Sequence, residues 1–429
     1  MKPSDAEARP TYSDQDISDA WIYLLGRQLI TRQQQVDFDH EGFVWNQLLH
    51  RKPGAVDWPN PNLDVAYSEA WVTLDETSWL EVTVPEISGR YYVVEFLNGW
   101  GETVANINER VFPEHPNGRF AVCLAGASVD LPAGVLRVDV PVRTMRVLLR
   151  VELGKVWDEA IALQHQFAFE MHGDPVPPQI PRTPMFDIEA LPGVEVFEAA
   201  ALTLDSEADI NPGMEDVQAK ARAIGEAVRD PTERARVDAV IRSKGFDDFN
   251  AAGAVIGRGE VRDGWGRAAC CGHFGDDWLT RTIVNFAGIW ANVFEEVIYY
   301  KGRLDQTGAR LDPANVYTLT FPADDLPSKY ATYFWSIIAL DAVHRRVLPN
   351  PLNRFLLNNQ SDLEYADDGS LTLWFAADRP AGAPDGNWLP TIGPSLSFTL
   401  RFYGPRGAVA EGRWFPPAII RRSEQGSGS

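Results

Sequence analysis

The chain is short of cysteine, of positive charge and of long apolar runs, and each shortage closes off a class of protein. Three cysteines in 429 residues, two of them adjacent at Cys270 and Cys271, do not make a disulfide framework. Reduced thiols in a cytoplasmic protein are the expectation. Lys and Arg number 39 against 60 Asp and Glu, a net charge of −21, and no dense basic run offers a surface for a phosphate backbone. Nucleic acid is therefore not an expected partner. Arg143, Arg146 and Arg150 come close together, but at strand spacing they serve carboxylate pairing as readily as an anionic ligand. No stretch approaches the roughly 20 apolar residues of a membrane helix, and Met1–Pro10 is polar with no secretory apolar core. A membrane is not expected either.

The usual chemical signatures are missing as well. There is no P-loop lysine motif, no Rossmann glycine fingerprint, no Gly-x-Ser-x-Gly elbow and no His-Glu-x-x-His. Cys270-Cys271-Gly272-His273 holds metal-capable atoms without a second pair at finger spacing, and reads more simply as a loop of small residues before a helix. His165 and His172, a heptad apart, decorate a helix surface in the simplest reading. No cofactor and no metal ligand set is expected from these residues.

What is present is a globular composition, 45% hydrophobic and 23% charged, in a chain long enough for two or three domains. Residues 14–35 carry apolar positions at three- and four-residue steps from Ile17 to Leu29, with Ser13-Asp14 as an N-cap, and predict a helix. A turn-rich stretch, Trp58-Pro59-Asn60-Pro61-Asn62, then opens a β region. Strands are predicted at 70–74, 79–84, 90–97, 120–124, 135–140 and 146–151, separated by Ser88-Gly89, Pro116-Asn117-Gly118 and Pro132-Ala133-Gly134. Such spacing argues for an antiparallel sandwich or barrel.

Beyond it, 157–169 reads as helical and 175–184, with five prolines, as an extended connector. Helices are predicted at 214–228, at 232–243 and, longest of all, at 278–299. Strand patterns return at 316–321, 333–340, 354–357, 371–375 and 396–402, with a closing segment near Trp414. The resulting division is an N-terminal helical segment at 1–57, a first β-sandwich at 58–155 and a helical bridge with its proline-rich connector at 156–314. A second β-sandwich follows at 315–422, with a flexible Gly-Ser tail at 423–429.

Three places could carry chemistry. The segment from Asn60 to Trp71 packs amides, a carboxylate and aromatics into a turn entering a strand, where Asn62, Asp64 and Tyr67 could face a pocket. The same Asn and Asp could instead close turns on their own backbone. On the strand 90–98, alternation puts Arg90, Tyr92, Val94, Phe96 and Asn98 on one face and Tyr91, Val93, Glu95 and Leu97 on the other. Glu95 thus sits among apolar neighbours, either with a raised pKa as an acid or base or paired to an arginine such as Arg146. On the long helix, Arg281, Asn285, Gly288, Asn292 and Glu295 or Glu296 share a stripe, which is a solvated face or a pocket wall.

The C-terminal half carries ordered motifs: Tyr333-Phe334-Trp335-Ser336, Leu348-Pro349-Asn350-Pro351, Asp367-Asp368-Gly369-Ser370-Leu371, Asn387-Trp388-Leu389-Pro390, Leu400-Arg401-Phe402-Tyr403-Gly404-Pro405 and Gly412-Arg413-Trp414-Phe415-Pro416-Pro417. They resemble the domain of unknown function numbered 1214. Asn62–Trp71 and Gly89-Arg90-Tyr91-Tyr92 resemble its usual companion, numbered 1254, and together the two span about residues 15 to 420. The resemblance implies a mainly β protein with α (α+β): two antiparallel, jelly-roll-like β-sandwich domains bridged by helices. It supplies no agreed chemistry, and where the family pattern tends to carry a carboxylate this chain has Asn98.

The leading expectation is an enzyme acting on a small organic molecule by cofactor-independent acid–base chemistry, as a hydrolase, lyase or isomerase. Asp64 or Glu95 would be the acid or base and Tyr67 and Tyr92 the proton or hydrogen-bond donors. Asn62 and Asn98 would orient the substrate against Trp100 and Trp335, with Arg90 and Asn292 completing the binding set. A second expectation is a binding module for carbohydrate, since 14 tryptophans and 12 tyrosines could supply stacking platforms. A third is a metal-dependent enzyme whose ligands come from distant strands. In each case the partner is a small molecule, and self-association into a homo-oligomer is left open.

Overall fold

The computed structural model describes residues 12–54 and 60–422. The turn at Trp58-Pro59, the Met1–Pro10 stretch and the Gly-Ser tail lie outside these residues. Four sheets, mostly antiparallel, form two β-sandwiches, with a helical body packed beside them.

The first sandwich is built from β1 (Leu49–His50), β2 (Val65–Thr73), β3 (Trp79–Val84), β4 (Tyr92–Leu97), β5 (Thr103–Ile107), β6 (Gly118–Leu124), β7 (Val135–Val140), β8 (Thr144–Glu152) and β9 (Ala168–His172). One sheet has the order β1-β2-β8-β4-β5, the other β7-β6-β3-β9. Period-two alternation decides what lies between them: Ala66, Ala70, Val72, Val94, Phe96, Val147 and Leu149 meet Leu80, Val82, Phe120 and Val122. Tyr92 belongs to this core too. The residues of opposite parity on β2, β4 and β8 point away from it, and they include every charged residue of those strands.

Helix α1 (Asp14–His40) begins with Ser13 and Asp16 capping each other. It runs beyond the predicted end and is buried on nearly every side. α2 (Trp157–Gln164) stops earlier than its sequence pattern suggested, because Ala168–His172 pairs with β3 as strand β9. Then come α3 (Glu195–Glu198), α4 (Ala200–Asp205), α5 (Glu215–Ala227), α6 (Pro231–Val240) with a π-turn at Ile241–Gly245, α7 (Phe246–Val255) and α8 (Trp278–Gly288). α1 crosses α8 at Gly26, where an added Cβ would lie 2.4 Å from Thr282 Oγ1, so only glycine permits the approach.

The predicted 278–299 helix is half right. α8 ends at Gly288, Trp290 takes φ 55°, and the chain turns into a strand. The reason is tertiary: Val297-Ile298-Tyr299-Tyr300 is β-branched and aromatic, and each of its residues finds a partner on a strand a hundred residues later. Asn292 and Glu296 therefore never share a helical stripe with Arg281.

The second sandwich comprises β10 (Glu260–Arg262), β11 (Trp265–Arg267), β12 (Val297–Gly302), β13 (Val316–Phe321), β14 (Trp335–Leu340), β15 (Leu356–Asn358), β16 (Leu371–Ala376), β17 (Trp388–Pro390), β18 (Ser397–Tyr403) and β19 (Ile420–Arg422). Its sheets have the orders β10-β11-β12-β18-β14-β15 and β17-β16-β13-β19. Trp414 lies outside these strands, in the core they enclose together with Trp335, Leu373 and Phe398. The chain read as a bridge thus also gives β9 to the first sandwich and β10 to β12 to the second.

The two sandwiches meet back to back. Val65, Tyr67, Tyr91, Val93 and Leu148 from the β2-β8-β4 face pack against Val297, Phe334 and Tyr403. Phe334 and Tyr403 stack at 4.1 Å between ring centroids, and Tyr91 meets Tyr403 edge-on at 4.9 Å.

Candidate functional site

The contact between the sandwiches is not filled throughout. A cavity of about 70 Å³ remains where the outer face of β2 and β8, the outer face of β12 and β18, and the C-terminal end of α8 converge. Antiparallel pairing explains what lines it. On β12 and β18 the residues directly opposite are Lys301–Thr399, Tyr299–Arg401 and Val297–Tyr403, one face of the ribbon. On β2 and β8 the opposed pair is Tyr67–Arg150. Arg150, Lys301, Arg401, Tyr67, Tyr299 and Tyr403 thus converge on one cavity. Asn60 and Asn62 border it, and Val284, Ala287, Ile289 and Phe294 supply an apolar wall.

The charge is one-sided: three cations line the cavity and, among the described residues, no carboxylate does. Arg150 is neutralised from behind, where one guanidinium nitrogen bonds Glu95 and another donates to the Trp290 carbonyl at 3.2 Å. Thr103 Oγ1 donates to the other Glu95 oxygen at 2.8 Å. Burial pushes the Glu95 carboxyl up and Arg150 pulls it back down. The partner of Glu95 is thus Arg150, while Arg146 bonds Glu69 at 2.5 Å and approaches Asp37 at 3.5 Å.

Arg401 is different. It is 1% exposed, and its Nη2 donates to the carbonyls of Asn60 (3.1 Å) and Pro61 (3.0 Å). Its Nε and Nη1 have no hydrogen-bond partner among the described residues. Buried guanidinium donors without an acceptor are costly. Lys301 has Thr399 Oγ1 at 3.1 Å and no carboxylate partner among the described residues. Burial pushes its amine well below the usual lysine range, and Arg401, Arg303 and Arg345 push the same way. Burial also raises the phenols of Tyr67, Tyr299 and Tyr403, so all three remain protonated donors.

Asn62 borders the cavity and also closes its own turn. Its Oδ1 accepts from the Asp64 amide at 2.8 Å, closing the turn, while its Nδ2 donates to the Tyr403 hydroxyl. Tyr67 lines the cavity, its ring 5.5 Å from the Arg150 guanidinium. Asp64 does not line it: the carboxylate accepts from Asn358 Nδ2 at 3.0 Å and ties the start of β2 to β15. Burial raises its pKa, and Ser336 and Arg401 lower it.

The remaining sequence candidates lie elsewhere. Tyr92 is inside the first sandwich and donates to the Pro116 carbonyl at 2.5 Å, because its strand parity is opposite to that of Glu95. Arg90 donates to the carbonyls of Glu152 (2.6 Å) and Leu153 (2.9 Å) at the end of β8. Asn98 closes its own turn by accepting from the amides of Trp100 and Glu102. Trp100 is buried in the helical body, 4.6 Å from the Arg281 guanidinium. Asn292 exchanges amide hydrogen bonds with Asn106 at 2.9 and 3.2 Å, and Trp335 is in the core of the second sandwich.

Lys301 and Arg401 were missed by sequence reasoning although both sit in apolar strands, where a lone cation is conspicuous. Extending the predicted helix to residue 299 hid the alternation of Val297, Tyr299 and Lys301. Cys271 borders the cavity, and burial raises its thiol pKa. The cysteine loop packs tightly there: a Cβ on Gly272 (φ 71°) would lie 2.5 Å from the Val293 amide nitrogen. All three cysteines are free. Among the described residues no group of three or more His, Cys, Asp or Glu side chains is placed to hold a metal ion. Nor is any helix among them long and apolar enough to cross a membrane.

Fold and site together define a mainly β, two-sandwich α+β protein with a buried cationic cavity between its halves. Two family models match it: Protein of unknown function (DUF1254) over residues 45–171 and Protein of unknown function (DUF1214) over residues 296–407. The chain belongs to the family that joins these two domains. No curated protein matches it. Among solved structures it is similar to the VPA0106 protein from Vibrio parahaemolyticus, at 20% identity and TM-score 0.64, over 96% of this chain and 100% of that one. An uncharacterized protein from Burkholderia cenocepacia matches at 14% identity and TM-score 0.47, over 93% of this chain and 86% of the other. The Vibrio likeness bears on the fold alone.

Proposed function

We propose that the protein is an enzyme that binds a small organic anion in the inter-sandwich cavity and turns it over by acid–base chemistry of its own side chains. The observation that carries this is Arg401, a buried guanidinium with two unused donors bordering a cavity that no described carboxylate lines. A carboxylate or similar oxyanion is the group that a guanidinium fork accepts. The apolar wall from α8 suits the rest of a small, largely hydrocarbon molecule. Three protonated tyrosines and an amine with a lowered pKa supply proton donors and an acceptor. The acid–base role thereby moves from Asp64 and Glu95, which stand outside the cavity lining, to Lys301.

The stacking-platform alternative has less support: among the described residues Trp157 is the one exposed tryptophan. The free thiols favour a reducing compartment such as the cytoplasm.

A thermal-shift screen of small mono- and dicarboxylates and phosphate esters tests the binding step. A ligand at a hundred times its Kd adds about 2.7 kcal/mol to the native state, and Arg401→Gln should abolish that gain. If no anion stabilises the protein, or if Arg401→Gln responds as the parent does, the proposal is wrong.

A further inference from the structure

Lys301 is a cavity-lining amine with a threonine hydroxyl where a lysine ordinarily has a carboxylate. It lies on the same strand face as Tyr299, which is directly opposite Arg401 on β18. One anion-binding guanidinium and one nucleophile-type amine therefore border the same space from neighbouring strands. From this placement we propose that Lys301 forms a Schiff base with a small oxo acid whose carboxylate is held by Arg401.

The inference rests on the anion-binding reading above and adds the substrate class. Arg401 fixes the carboxylate and leaves a nearby carbonyl carbon facing Nζ, the geometry that 2-oxo and 3-oxo acids offer. The Nζ lone pair attacks that carbon, forming the C–N bond as the C=O π pair moves to oxygen. Oxygen takes one proton from the Tyr299 side or from solvent and a second from nitrogen, then leaves as water as the C=N bond forms. The sum is amine plus ketone plus the one donated proton giving protonated imine plus water; a proton given by Tyr299 is replaced from solvent, and no oxidant or reductant enters. Protonated, the imine is an electron sink for cleavage or proton loss next to the former carbonyl. Burial and the neighbouring arginines lower the amine pKa and so raise the share of neutral Nζ available for the attack. The apolar wall limits access of water to the imine.

Acetoacetate and pyruvate serve as probes, each incubated with the full-length protein and sodium cyanoborohydride, with intact-mass and peptide mapping as readouts. A Schiff base at Lys301 gives a mass gain equal to the ketone less one oxygen, on the peptide carrying Lys301. Lys301→Met should lower that labelling by about tenfold or more, and Arg401→Gln should lower it while surface lysines stay unchanged. Calorimetry with butyrate, which has the carboxylate but no ketone, reads anion binding separately. Butyrate binding that depends on Arg401, with no label at Lys301 from either probe, overturns the Schiff base and leaves the anion site standing. Labelling confined to other lysines overturns it equally. Absence of both binding and labelling removes the anion site and this inference together.

Discussion

Lys301 and Thr399 face each other across β12 and β18, and the 3.1 Å bond from Nζ to Oγ1 gives a half-buried lysine a neutral partner. In the unfolded chain this amine is protonated up to a pKa of about 10.4. In the folded protein its pKa lies well below that, so the native state binds fewer protons between the two values and stability rises with pH across that window. Lys301→Met, which keeps the apolar stem, should stabilise the protein at neutral pH by about 0.5–2 kcal/mol while removing ligand turnover. The advantage should shrink as pH rises toward the unfolded value. Urea melts at several pH values check both statements.

Glu95 and Arg150 should behave as a unit. Glu95→Ala leaves a buried guanidinium that still donates to the Trp290 carbonyl but has lost its carboxylate, and the expected loss is about 3–5 kcal/mol. Adding Arg150→Met should recover much of it. A double-mutant cycle by urea unfolding that showed the two losses simply adding would contradict the pairing.

Glu207 gives a pH signature independent of the cavity. Burial raises its carboxyl from the usual range to about 7, with Arg27 opposing. A raised acid pKa means that the native state holds a proton which the unfolded chain has already released, so stability falls as pH climbs from about 4.5 to 7. Glu207→Gln should flatten that fall and gain on the order of 1–3 kcal/mol at pH 8. Thermal unfolding of both proteins from pH 5 to 8 measures it.

Tyr92 and Tyr67 separate the sequence-based site from the one the fold builds. Tyr92→Phe removes the phenol donor from the part-buried Pro116 carbonyl, costing about 0.5–1.5 kcal/mol, and should not alter affinity for a cavity ligand. Tyr67→Phe removes a cavity hydroxyl and should weaken binding of whatever anion the screen identifies. Equal effects on affinity would contradict the placement of the two rings.

The amino-acid sequence by itself determined the local content of this protein. Period-two patterns marked most of the longer strands, Ser13 marked the start of α1, and alternation put Glu95 on the face opposite Tyr92 and Phe96, where it is found. These are short-range consequences of side-chain geometry, legible without knowing any partner. The ordered motifs also carried the family resemblance and, with it, two sandwiches.

Tertiary structure decided which face became a site. Residues 297–301 are strand because 399–403 lies beside them, and that pairing puts Lys301 and Arg401 on one cavity edge. Glu95 found Arg150 rather than Arg146 because Glu69 and Asp37 already held Arg146. Asp64 and Trp100 were turned away from the cavity by contacts with Asn358 and Arg281, residues about 180 or more positions distant. Charge pairing in a desolvated interface depends on distances between strands, and no pattern within one strand encodes them.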